Sequence, residues 1–264
     1  SMTTPTSTHR GRLATLLVGC TMALPACGAQ DEVTDEERLR IVAEFEGFDV
    51  SDAEYDGENL YVDDIAFTPD HLPQYEAIVS DDQQFRAFLK NQNSKVIDLG
   101  FRSICFRIDD SGANSAEDWI GTFNTLTTSL NSLGTTLSFV NRRQSVGCPA
   151  GREVIKVTTK NFSGNTIGRA EYPEQNIFNG NTHPGDWIKL ERSINPTLRL
   201  AAHELMHTLG VAHIDDPNTG NLDWVAGTCA SGAVCGGQTV MFSAVPQDQV
   251  GLLSDDIAAL QIVY

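Results

Sequence analysis

The sequence predicts an α+β domain, on three observations: short runs of period-two apolar alternation, helical apolar spacing, and both kinds interleaved along one chain. Ile104, Phe106 and Ile108 alternate with polar residues, as a half-buried strand requires. The runs Leu137 to Val140, Val154 to Thr158, Asn165 to Tyr172 and Asp186 to Glu191 continue the strand pattern. Two helical stretches close the chain, one ending at Gly210 and one starting at Ser254.

Taken in order, Glu36 to Phe45 places Leu39, Val42 and Phe45 at helical spacing, and Asn59 to Phe67 has strand character. Asp81 to Lys90 reads as a further helix. Ser115 with Asp118 three residues later is an N-terminal capping pattern and opens a helix running through Leu130. Asn195 at the N-cap and Pro196 at the first helical position start the next one. It runs to Leu209 and stops at Gly210, which can take a left-handed conformation. In the last helix Asp255 and Asp256 sit at the positive end of the helix dipole.

The organisation expected is a signal segment over 1–27, a polar tether over 28–35, an acidic N-terminal segment over 36–95 and a main domain over 96–264. His9, Arg10 and Arg12 precede an apolar run from Leu13 to Ala26. That run falls short of the ~20 residues of a membrane-spanning helix and reads as the core of an export signal. Leu17-Val18-Gly19-Cys20 and Leu24-Pro25-Ala26-Cys27 both resemble a lipoprotein signal-peptidase box. Cys27 is the candidate lipidated residue and Cys20 the alternative; a plain secretory signal remains the third reading. The expected location is extracytoplasmic, either secreted or lipid-anchored to a membrane.

Asp and Glu number 35 against 18 Lys and Arg, a net charge of −17. Such a surface repels nucleic acid and anionic membranes, so neither is an expected partner. Solubility accounts for most of the acids. Asp109-Asp110-Ser111-Gly112, and Asp215-Asp216 through Asn221 and Asp223, are oxygen-rich loops that leave Ca2+ open. Neither has EF-hand spacing, and solvated turns are the favoured reading. Beyond the signal region, Cys105, Cys148, Cys229 and Cys235 remain, an even number that suggests two disulfides in an exported chain. Of three connectivities the local pairs Cys105–Cys148 and Cys229–Cys235 are expected.

Residues 203–213 read HELMHTLGVAH. His203 and His207 are four apart on a helix, so both imidazoles project from one face, ~5–6 Å apart at Cβ. Both ring nitrogens can then reach one Zn2+ at ~2.0–2.1 Å. After Gly210 the chain can turn so that His213 completes a three-histidine set, leaving a fourth position for water. Glu204, beside the first ligand, is the candidate general base.

This extended motif resembles the metzincin zinc peptidases, whose signature includes a methionine turn downstream. The candidate turn is Thr239-Val240-Met241-Phe242-Ser243, with Met241 as an apolar floor beneath the metal. Gly164 to Pro173, Gly185-Asp186-Trp187-Ile188 and Leu253 through Tyr264 resemble the matrixin branch. Gly47-Phe48-Asp49 and Val62-Asp63-Asp64-Ile65 extend the likeness to the bacterial dual-action HEIGH metallopeptidases. The resemblance implies a twisted, mostly parallel sheet, one catalytic Zn2+ and a protein or peptide substrate hydrolysed by an endopeptidase acting as a monomer. An extended substrate would pair with the strand carrying Ile167, Gly168, Arg169 and Ala170. Phe242, Ser243, Ala244 and Val245 would wall a side-chain pocket.

There are departures. Leu205-Met206 replaces the Ile-Gly of the HEIGH name, no cysteine-switch motif is present, and Phe242 removes the tyrosine of astacins. His183 reads as a surface-loop residue, with a second metal as its alternative. Two rivals stand beside the active peptidase. One is a cell-surface binding lipoprotein with an idle zinc fold. The other is a zymogen in which Asp63, Asp64 or another acid of residues 36–95 fills the open metal position.

Overall fold

Apolar alternation along the chain closes into one eight-stranded sheet whose two halves come from distant stretches of sequence. The computed structural model describes residues 34–45, 48–69, 72, 102–176, 181–211, 213, 240–241, 248 and 251–263. Cys20, Cys27, the helix at 81–90, the acidic loop at 215–223, Cys229, Cys235 and Phe242, Ser243, Ala244 and Val245 lie outside them.

Helix α1 (Asp35–Phe45) starts on a reciprocal cap. The Thr34 amide donates to Glu37 Oε2 at 2.9 Å, and the Glu37 amide donates to Thr34 Oγ1 at 3.3 Å. Leu39, Val42 and Ala43 on one face are buried. The stretch 59–67 is not one strand. It follows β1 (Glu54–Tyr55) as a hairpin of β2 (Leu60–Val62) and β3 (Ile65–Phe67). Asp63, at the turn, has φ +56°, a left-handed conformation that Asp tolerates better than most residues.

The remaining strands are β4 (Ser103–Ile108), β5 (Ser138–Arg143), β6 (Glu153–Lys160), β7 (Gly168–Glu171) and β10 (Trp187–Glu191). A separate pair, β8 (Glu174–Asn176) and β9 (Asn181–His183), precedes β10. The main order is β1-β2-β3-β7-β10-β6-β4-β5, a mostly parallel sheet in which β1–β2, β2–β3 and β7–β10 are the antiparallel pairs. Strand β3 lies parallel to β7, with Ile65 opposite Ala170 and Ala66 opposite Glu171. Strand β7 therefore has neighbours on both sides.

Helix α2 (Ile120–Asn131) packs on β5 and on α3 (Leu198–Thr208), and α3 lies under β7 and β10. Phe106 packs between Phe123 of α2 and Phe139 of β5, with centroids 5.2 and 5.8 Å away. The expected cap at Ser115 and Asp118 is not how α2 begins. A 3-10 turn, Glu117–Trp119, intervenes, because Ser115 is tied to β6 by its carbonyl, which accepts from Thr159 Oγ1 at 2.9 Å. The cap of α3 is Thr197, not Asn195. Thr197 is extended, and its hydroxyl accepts from the Leu200 amide at 3.4 Å. Helix α4 (Ser254–Val263) closes the chain.

Cys105 is bonded to Cys148, tying β4 to the turn after β5. The Asp109–Gly112 loop closes on itself and on the next turn. Asp109 Oδ1 accepts from the Ser111 amide, and Asp110 accepts from the Ser145 amide at 3.1 Å. Among the described residues no helix is long and apolar enough to cross a membrane.

Candidate metal centre

Helix α3 is stopped by geometry that its sequence encodes. Gly210 has φ +88°; its amide donates to the His207 carbonyl, and the Val211 amide donates to the Met206 carbonyl. This pair of bonds is a Schellman ending, which reverses the chain at the last turn. The Tyr172 hydroxyl donates to the Gly210 carbonyl at 3.3 Å and pins the turn to the end of β7. His213 is thereby returned to the face that carries His203 and His207.

The three imidazoles converge. Nε2 of His203 lies 3.0 Å from Nε2 of His207 and 3.2 Å from Nε2 of His213. A fourth group joins them from the β2–β3 turn. Asp64 Oδ2 is 3.1 Å from His203 Nε2, and Oδ1 is 3.1 Å from Nε2 of both His207 and His213. All three histidines are buried. Asp64 and the three histidines form a cluster that can hold a metal ion.

Two backbone carbonyls set the tautomers. His203 Nδ1 is 2.8 Å from the Val240 carbonyl, and His207 Nδ1 is 2.7 Å from the Val211 carbonyl. A carbonyl only accepts, so each Nδ1 carries the proton and donates it. Each Nε2 then faces the cluster with a lone pair. Lone pairs 3.0 Å apart with no proton between them repel unless a cation joins them. Nitrogen ligands ~2.0–2.1 Å from a tetrahedral ion stand about 3.3–3.4 Å from one another, close to the spacing seen. The donor set fits a small tetrahedral dication.

Glu204 supplies a further sign of a missing partner. It is fully buried, and neither carboxylate oxygen has a hydrogen-bond partner among the described residues. It lies against Gly168 of β7, where an added Cβ would come within 2.1 Å of Oε1. Burial, then the nearby Asp64 charge, pushes the Glu204 carboxyl well above its ordinary range.

A supporting layer lies behind the ligands. Val240 and Met241 are buried, and the carbonyl before Met241 is the one that His203 uses. Asp256, buried in α4, accepts from the Val240 amide at 3.0 Å and from the Leu253 amide at 2.8 Å. One carboxylate thus caps α4 and fixes the segment that orients His203. The Asp256 role was legible only as a dipole effect, because its partner sits sixteen residues away.

The predicted substrate strand lies beside the cluster, but its edge is taken by β3. Arg169 projects from β7 with its guanidinium 3.7 Å from the Tyr61 ring centroid and Nη2 3.0 Å from Glu54 Oε2. Ile167, Gly168 and Arg169 line a cleft of about 320 Å³ with Asp52, Asp63 and His213. Ala170 is buried, and its amide donates to the Asp64 carbonyl. His183 stands apart, with Nδ1 3.2 Å from Glu153 Oε2.

No protein-family model matches the chain, and a search of curated proteins found no match either. The functional reading therefore rests on the residues themselves.

Proposed function

We propose that the chain is an exported zinc endopeptidase of the metzincin type, with His203, His207 and His213 as the metal ligands and Glu204 as the general base. The observation that carries this is a buried, unpartnered carboxylate next to three imidazoles whose Nε2 atoms meet. A purely structural metal site has no use for Glu204. The three-histidine donor set and tetrahedral spacing favour zinc over calcium or magnesium, which prefer six or more oxygen ligands or octahedral geometry.

Zinc, when bound, acidifies a water and polarises a peptide carbonyl. Glu204 Oε1 or Oε2 takes the proton from the attacking water and hands it to the leaving amine. Its raised proton affinity suits a group that must accept a proton from water. Gly168 leaves room for that carboxylate beneath the strand. Val240 and Val211 hold the imidazoles in register through the reaction. Met241 serves as the apolar floor of the turn, and the resemblance is to the matrixin branch and especially to the bacterial dual-action HEIGH metallopeptidases. The substrate is a protein or peptide, bound extended.

Metal analysis of the purified chain should find one zinc per molecule, lost in His207→Ala. A peptide-library digest, run long enough to detect slow turnover, should yield products that vanish with a chelator and with Glu204→Gln. Equal digestion by Glu204→Gln would rule the assignment out.

A further inference from the structure

The proposed reading needs an open fourth metal position and a free strand edge, and both are filled by one segment of the same chain. Asp64 sits at hydrogen-bonding distance from all three Nε2 atoms. Strand β3, which begins at the next residue, lies along β7. The Ala170 amide donates to the Asp64 carbonyl at 2.9 Å, and the Tyr172 amide donates to the Ala66 carbonyl at 3.0 Å. These are the donors that an added substrate strand would use. We propose that residues 54–68 are an intramolecular latch: Asp64 occupies the fourth position of the metal site and β3 occupies the substrate edge, so the full chain is latent.

The occupant has the chemistry of an inhibitor. It offers the cluster a side-chain carboxylate, so no peptide bond stands where cleavage would occur. A carboxylate is also a good oxygen ligand for zinc and competes directly with water. The turn is shaped for this delivery: the left-handed Asp63 lets the chain reverse within two residues, aiming Asp64 inward while Asp63 stays exposed. Three further attachments hold the segment down. Glu54 and Tyr61 clamp Arg169. Thr68 Oγ1 donates to Glu171 Oε1 at 2.9 Å. Phe48 and Phe67 pack on Tyr172, with centroids 5.4 and 5.6 Å away.

The latch rests on the peptidase reading for its purpose, but its geometry can be tested separately. The test uses the full chain loaded with cobalt(II) in place of zinc, and compares it with Asp64→Ala and with the shape-conserving Asp64→Asn. Acetohydroxamate, a small metal-binding probe, is titrated while the visible cobalt bands are followed, and hydrolysis of a fluorogenic peptide library is measured on the zinc forms. With the latch in place, acetohydroxamate leaves the bands of the parent chain nearly unmoved but shifts those of the variants, which keep their metal. If the open state is populated at ~0.1–10% in the parent, hydrolysis rises about 10- to 1,000-fold in the variants. A parent chain whose bands shift on titration with the probe overturns the latch, and this arm needs no variant. Loss of metal from both variants with no gain in hydrolysis also overturns it, making Asp64 a structural ligand instead. The spectral pattern without hydrolysis by any form supports the Asp64 ligation and removes only the peptidase reading.

Discussion

The two ends of the sheet are built differently. At one end β6, β4 and β5 pair over five or six residues each, α2 packs on β5, and the Cys105–Cys148 bond ties β4 to the turn after β5. At the other end β1, β2 and β3 are two or three residues long, and β3 meets β7 through two residue pairs. The first end gains from many cooperative backbone bonds and a continuous aromatic core. The second depends on side-chain anchors: an aromatic trio, an arginine clamp and a shared carboxylate. Helix α3 lies where the two meet. The difference teaches that the histidine cluster is mounted where the two ends meet, while its fourth group, Asp64, comes from the weaker one.

The largest expected effect separates chemistry from architecture. Glu204→Gln should lower turnover by ~10²–10⁴-fold while leaving the melting temperature of both ends in place. A variant that also loses stability would mean that Glu204 supports the fold. Next comes the stronger end. Replacing both Cys105 and Cys148 by Ser frees a loop with a sequence separation of 43 and should cost about 4 kcal/mol in urea unfolding. Hydrogen exchange at the Ala170 and Tyr172 amides should change little, because local opening of the hairpin needs less than global unfolding. Exchange that accelerates in step with the stability loss would show that the ends unfold together and would erase the contrast.

The joint between the ends has its own pH signature. Glu171 accepts from Thr68 on the hairpin side and from the Asp186 amide on the β10 side. Burial, aided by the Asp186 charge, raises its carboxyl to about 7 against these hydrogen bonds. The folded protein then binds more protons than the unfolded one between the ordinary glutamate value and about 7. This contribution is complete below that ordinary value and is lost as pH rises through 7, amounting to roughly 3–4 kcal/mol. Glu171→Gln, which keeps the shape and can satisfy both partners, should flatten thermal stability against pH in that window. An unchanged slope would remove Glu171 as its source. The smallest effect is at the cap: Thr197→Ala should cost about 1 kcal/mol in urea unfolding, through loss of the bond from the Leu200 amide. No measurable change would mean that water or a neighbour replaces the hydroxyl.

Legibility followed distance along the chain. The strand around Ile104, Phe106 and Ile108 and the stop at Gly210 were readable, because pleat alternation and the left-handed glycine act within a few residues. The Cys105–Cys148 bond agreed with the expected local pairing. The start of α3 was misplaced by two residues, since Asn195 and Thr197 are both good caps and only the backbone conformation chooses between them. The 59–67 run hid a turn, because Asp63 and Asp64 are flanked by apolar residues on both sides and β2 and β3 merge in any periodicity window. Asp64 appeared in the sequence only as one of several acids that could reach the metal.

By itself, then, the sequence determined the helix that presents His203, Glu204 and His207, and the glycine that turns the chain toward His213. Only the tertiary structure decided that Asp64 joins them across 139 residues, that Val240 sets the tautomer of His203, and that β3 closes the edge of β7. The reason is physical. Helix periodicity and capping are settled by neighbours along the chain, whereas strand pairing and the meeting of charged groups are settled by which surfaces are buried together, and no local stretch of sequence specifies that.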